Sequence, residues 1–171
     1  MSVVLLSVLL SGCVSGERDG MDMQGAAERS DVILDAVLDE VQPAVRWTHG
    51  PTTTGGCEVS RRRTVMTVIS PERRGSFLGL VDRFWRKGEY RLEAINNDEE
   101  FPAIYAQTQD GFVVSLRFGG EGQAFFRVDS PCVEKSEVAD STTKPTAPTY
   151  EGMEHIPRPN IRSAFWSAGA S

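Results

Sequence analysis

Few residues in this chain carry reactive chemistry, and they are scattered: two histidines, His49 and His155, three cysteines, Cys13, Cys57 and Cys132, and one arginine-rich stretch. His49 follows Trp47-Thr48 and precedes Gly50-Pro51, a loop setting in which an imidazole is more often solvated or capping than basic. His155 lies in a proline-rich C-terminal segment, so a Ser/His/Asp triad would have to use His49. There is no Cys-x-x-Cys or His-x-x-x-His spacing, so neither a metal nor a cofactor is expected. Gly-x-Ser-x-Gly, P-loop and dinucleotide-binding fingerprints are absent, and no catalytic residue is expected.

The feature that stands out is charge asymmetry. Cys57 to Arg91 holds nine basic and four acidic residues, a net +5 in a chain of net charge −6. The overall acidity argues against a nucleic-acid partner. Arg61, Arg62, Arg63, Arg73 and Arg74 are candidates for binding an anionic surface, either lipid headgroups or an anionic polymer. Each basic residue held close to such a surface contributes about 1 kcal/mol. The competing reading is that they occupy an outer helix face and pair with nearby acids.

Val3 to Leu10 is apolar except for Ser7, a length that suits a signal-peptide core and is too short to span a bilayer. Leu10-Ser11-Gly12-Cys13 follows at once and resembles the lipobox of bacterial lipoproteins. The resemblance implies removal of residues 1–12, a diacylglyceryl group on the Cys13 thiol, and in many bacteria acylation of the new amino terminus. Two or more acyl chains hold a domain stably at a membrane surface. No Lys or Arg precedes Cys13, so the usual basic opening is missing and the translation start is expected upstream of Met1. In an exported chain with Cys13 lipidated, Cys57 and Cys132 remain as an even pair, and oxidising compartments favour their disulfide. By overall plan the chain is similar to small cell-envelope lipoproteins of high-GC Gram-positive bacteria. That likeness rests on the lipobox, the paired cysteines and a basic complement in which only Lys87, Lys135 and Lys144 are lysine. It carries over no functional residues.

The elements that must position these groups are legible to different degrees. Ala26 to Val41 has helical spacing, with Ile33, Leu34, Val37, Leu38 and Val41 on one side. Asp31, Asp35, Asp39 and Glu40 form an acidic, solvated side, and Pro43 stops the helix. Ser70-Pro71-Glu72 opens a second helix through Phe77, Leu78, Val81, Phe84 and Trp85, ending at Gly88. Gly79 is expected to let that helix approach the sheet closely. Val45 to Thr48, Cys57 to Ile69, Tyr90 to Ala94, Ala103 to Gln109, Phe112 to Phe118 and Ala124 to Val128 read as strands. Asp110-Gly111 marks a hairpin, and a bulge or hairpin tip is expected at Arg61-Arg62-Arg63.

The expected fold is α+β: an antiparallel sheet of about five or six strands with two helices packed on one face. The expected organisation is a signal peptide over 1–12, a lipidated flexible tether over 13–25, the folded domain over 26–133 and a Thr/Pro-rich extended or disordered tail over 134–171. Phe165-Trp166 is the oddity of that tail, either incidental or a short docking segment that folds back on the domain or engages a partner. The expected function is a non-catalytic binding or accessory module of the cell envelope, anchored to the membrane through Cys13. An envelope enzyme and a protein-recognition module are the rivals. A concave pocket gathering His49 with acids or hydroxyls would favour the enzyme, and a basic surface would favour binding.

Overall fold

The computed structural model describes residues 20–150 and 155–170. The expected signal segment, Cys13 and most of the expected tether lie outside the described residues.

The first helix, α1 (Met23–Glu40), begins three residues before the expected start, because Asp22 supplies a cap. Its carboxylate accepts the backbone N–H of Gly25 at 2.8 Å. Ile33, Leu34, Val37, Leu38 and Val41 are buried as the periodicity predicts. The acidic side is not wholly solvated: Asp31 is buried as well. The second helix, α2 (Pro71–Lys87), matches its sequence signals, with Pro71 and Glu72 in the first turn and Arg86 and Lys87 in the last. Ser70 takes the cap position, but its side chain makes no capping bond. Its backbone N–H instead donates to the Trp166 carbonyl at 2.9 Å. A side chain at Gly79 would meet only the Arg83 guanidinium, so this glycine does not serve close approach to the sheet.

Seven antiparallel strands form one sheet: β1 (Trp47–His49), β2 (Thr53–Gly55), β3 (Glu58–Val65), β4 (Arg91–Asn96), β5 (Ala103–Gln107), β6 (Val113–Phe118) and β7 (Ala124–Asp129). The order is β1-β3-β7-β6-β5-β4, and β2 shares with β1 the same edge of β3. The extra strand arises because the Thr-rich loop after Gly50 folds back on β3 (Thr53 opposite Ser60). Asp110-Gly111 does turn the β5–β6 hairpin, with Gly111 at φ +91°, a backbone region that favours glycine. Both helices pack on one face of the sheet. Phe77 of α2 is the pivot there, with its ring 5.9 Å from Phe118, 6.1 Å from Phe126 and 5.1 Å from Trp166.

The arginine run does not interrupt its strand. Arg61, Arg62 and Arg63 sit in the continuous ladder of β3, opposite Val128, Arg127 and Phe126 of β7. Cys57 precedes β3 and Cys132 follows β7. Because these strands are antiparallel neighbours, the two Cα atoms lie 4.8 Å apart and the disulfide joins them.

The tail has little regular secondary structure, as its composition predicts, yet it is packed onto the domain. The backbone N–H groups of Thr146 and Ala147 donate to the Trp47 carbonyl, covering the outer edge of β1. Asn160 and Ile161 donate to the Met66 carbonyl. Trp166 is only 1% exposed and its indole N–H donates to the Pro43 carbonyl at 2.5 Å. The described residues from Glu134 onward are therefore integral to the fold, and Trp166 is a core residue rather than an incidental aromatic.

Candidate functional site

Alternation along β3 decides where the arginines go, since successive side chains of a strand point to opposite faces. Arg61 and Arg63 point toward α1, and Arg62 points to the face that no helix covers among the described residues, the uncovered face of the sheet. Arg63 is fully buried. It donates to Asp31 Oδ1 at 2.7 Å and Asp35 Oδ1 at 3.3 Å, and lies 4.6 Å over the Trp47 ring. Arg61 forms an ion pair with Asp31 at 3.4 Å and donates to Thr52 Oγ1 and the Ala139 carbonyl.

Arg61 and Arg63 therefore cannot form an anion-binding surface, and the expected five-arginine patch does not exist as one unit. Each buried cation must be neutralised where it lies, and the acids of α1 do this. Arg73 stacks 4.3 Å over Phe165 of the tail, and Arg74 donates to the Glu100 carbonyl at 2.9 Å. Of the five, only Arg62 is directed to the uncovered face.

His49 belongs to the buried network. Arginine has no acceptor, so the Arg63 guanidinium 3.0 Å from Nδ1 makes that nitrogen the acceptor. Nε2–H then donates to the Thr143 carbonyl at 2.8 Å. The His49 pKa lies below the ordinary imidazole value. Burial is the largest cause, the Thr143 carbonyl and the Asp31 carboxylate oppose it, and Arg63 reinforces it. Thr143 completes the network by donating its hydroxyl to Asp35 Oδ2 at 2.7 Å.

The uncovered face carries a second cluster. Arg62 stands directly opposite Arg127, and Arg117 stands opposite Phe125 one strand further on. Arg127 is paired with Asp129, its Nε 2.7 and 2.8 Å from the two carboxylate oxygens. Ser60 also donates to that carboxylate. Among the described residues, Arg62 and Arg117 have no ion-pair partner, and the buried Nε of Arg62 has no hydrogen-bond acceptor. The Arg62 guanidinium pKa is lowered, first by burial and then by Arg127. Like charges directly across a ladder destabilise a sheet.

Two cavities open on this face. One of about 260 Å³ is lined by Arg62, Arg117, Arg127, Phe125 and Gly119. The other, of about 630 Å³, shares Arg62 and Phe125 with it and extends to Gln123, Tyr150, His155 and Arg158 of the tail side, and to His49 and Ser141. His49 thus shares a cavity with hydroxyls and with Asp140, but its acceptor nitrogen is occupied by Arg63, and among the described residues it makes no hydrogen bond to a serine or threonine hydroxyl. No three His, Cys, Asp or Glu side chains gather as a metal site among the described residues. No helix among them is long and apolar enough to cross a membrane.

Arg117, Arg127 and Phe125 escape a reading of the sequence. Each occupies the alternate position in a strand whose inward residues are apolar, which places it outward. Only the strand order brings it beside Arg62. Comparison with protein-family models, curated proteins and solved structures finds no match to this chain.

Proposed function

We propose that this chain is a lipid-anchored, extracytoplasmic module of the cell envelope that binds its ligand on the uncovered face of the sheet and catalyses no reaction. The observation that carries the binding assignment is the pair of cavities that share Arg62 and Phe125 as lining. Pockets of this size with convergent polar groups suit an organic ligand. The lipobox at Cys13 supports the anchor, and a disulfide closing the domain suits an oxidising compartment.

The test uses the full chain bearing Cys13→Ser, mixed with washed cell envelopes. Retention that Arg117→Glu abolishes, and that Val32→Glu on the exposed side of α1 leaves intact, is the predicted result. Equal retention of both variants, or none for the parent, contradicts the assignment.

A second reading, a hydrolytic enzyme, draws on the single cavity shared by His49, Ser141 and Asp140. Its activity would have to disappear in Ser141→Ala without loss of folding.

A further inference from the structure

We infer that Arg62, Arg117 and Arg127 form a site for a phosphate monoester whose organic body lies against Phe125. This rests on the uncovered face being the binding surface and names the ligand class for it. The first argument is charge balance. Three guanidiniums from three adjacent strands line one small cavity, and among the described residues Asp129 is the carboxylate that faces them from the same face. Its pairing with Arg127 leaves a surplus of two positive charges. A carboxylate or a phosphodiester supplies one negative charge, whereas a phosphate monoester at neutral pH supplies close to two.

The second argument is donor geometry. Arg62 and Arg127 are register partners, and on the neighbouring strand Arg117 lies two residues from Ser115, the partner of Arg127, on the same face. Guanidinium forks from adjacent strands offer paired N–H groups to the oxygens of one tetrahedral group. The buried Nε of Arg62 lacks an acceptor among the described residues, and an arriving oxygen would provide one.

The third argument is shape. The cavity of about 260 Å³ is large enough for a phosphate, and it shares Arg62 and Phe125 as lining with the cavity of about 630 Å³. That larger space is sized for an organic body and offers Phe125, Tyr150 and Ile156 as apolar wall. Phe125 is fixed from behind: a side chain at Gly119 would come within 2.8 Å of its ring, so only glycine leaves the ring its place. The phosphate end is thus read by charge and the body by contact with an aromatic face.

The experiment titrates the full chain bearing Cys13→Ser with phenyl phosphate, inorganic phosphate and benzoate by calorimetry. The expected order is phenyl phosphate tightest, at least about 10-fold above benzoate. Binding should weaken below about pH 6, where the phosphate dianion takes up a proton. Arg117→Ala and Arg62→Ala should each lower affinity at least about 10-fold. Arg117 is exposed, so its variant keeps the test valid if Arg62→Ala does not fold. Neutral vesicles containing phosphatidic acid or phosphatidylglycerol distinguish the source. Retention on phosphatidic acid alone identifies a lipid headgroup, and retention on neither, with phenyl phosphate bound, identifies a free ester.

Equal affinity for benzoate and phenyl phosphate, or no effect of Arg117→Ala, would overturn the inference. If envelope retention still depends on Arg117 while phenyl phosphate does not bind, the phosphate assignment fails and the binding face stands. If both are lost, both readings fail.

Discussion

Arg63 of β3 and Asp31 of α1, 32 residues apart in sequence, meet at 2.7 Å with the arginine fully buried. This contact fastens the first helix to β3, the strand next to the sheet edge formed by β1 and β2. It also explains why a run of three arginines can sit inside a paired strand: the two that face inward have acids waiting for them. Removing one partner leaves a buried charge unmatched, which costs about 3–5 kcal/mol. Asp31→Ala, which leaves the buried Arg61 without a carboxylate partner among the described residues, should therefore lower unfolding free energy by that amount in urea titration. A loss below about 1 kcal/mol would mean that the network is not held as described.

His49 adds a pH dependence. Its pKa is lowered in the folded state, so the unfolded chain binds the proton more readily. The stability it contributes is fully present above about pH 6.5, the unfolded imidazole value, and is lost as pH falls through the lower folded value. Acid would place a second positive charge against Arg63 and remove the acceptor at Nδ1. Thermal melts between pH 7.5 and pH 5 should show a steeper loss in the native chain than in His49→Gln, whose amide can still donate to Thr143. Parallel profiles for the two proteins would exclude this role.

The helices and the β5–β6 hairpin were legible because their signals are local. Ser70-Pro71 and Gly88 bracket α2, and Asp110-Gly111 turns a hairpin from its own residues. Arg61-Arg62-Arg63 was opaque for the opposite reason. A charge run resembles a loop until its partners are known: Arg127 and Asp129 become neighbours only through the order β3-β7, and Asp31 and Asp35 only through the packing of α1 on β3. The alternation that sends Arg62 outward was present in the residues, but which face lies bare depends on where α1 lands.

The tail makes the same point. Its Thr and Pro content correctly indicates little regular structure, while its contacts with Trp47, His49 and Pro43 depend on the finished fold.

Trp166 tests the tail directly. Its ring packs on Phe77 and is all but inaccessible to water. Trp166→Ala should destabilise the domain by about 3–5 kcal/mol, the range for a large buried aromatic. Urea titration followed by far-ultraviolet circular dichroism gives the number. A variant as stable as the parent would show that residues after 160 are dispensable to the core.

The Cys57–Cys132 bond closes a loop of 75 residues. Chain entropy puts its contribution at roughly 4.5 kcal/mol as an upper figure. The Cys57→Ser/Cys132→Ser double variant should melt well below the parent under oxidising conditions, and the two should converge when the parent is reduced. A parent whose melting point ignores reductant would contradict this.

The most direct measurement is intact mass spectrometry of the native protein taken from the membrane fraction, with and without reduction. The expected result is a chain that begins at a diacylglyceryl-modified Cys13 and gains two hydrogens on reduction. An unmodified chain that retains Met1 and carries free thiols would contradict it, placing the protein away from the envelope and removing the anchor on which the proposed function depends.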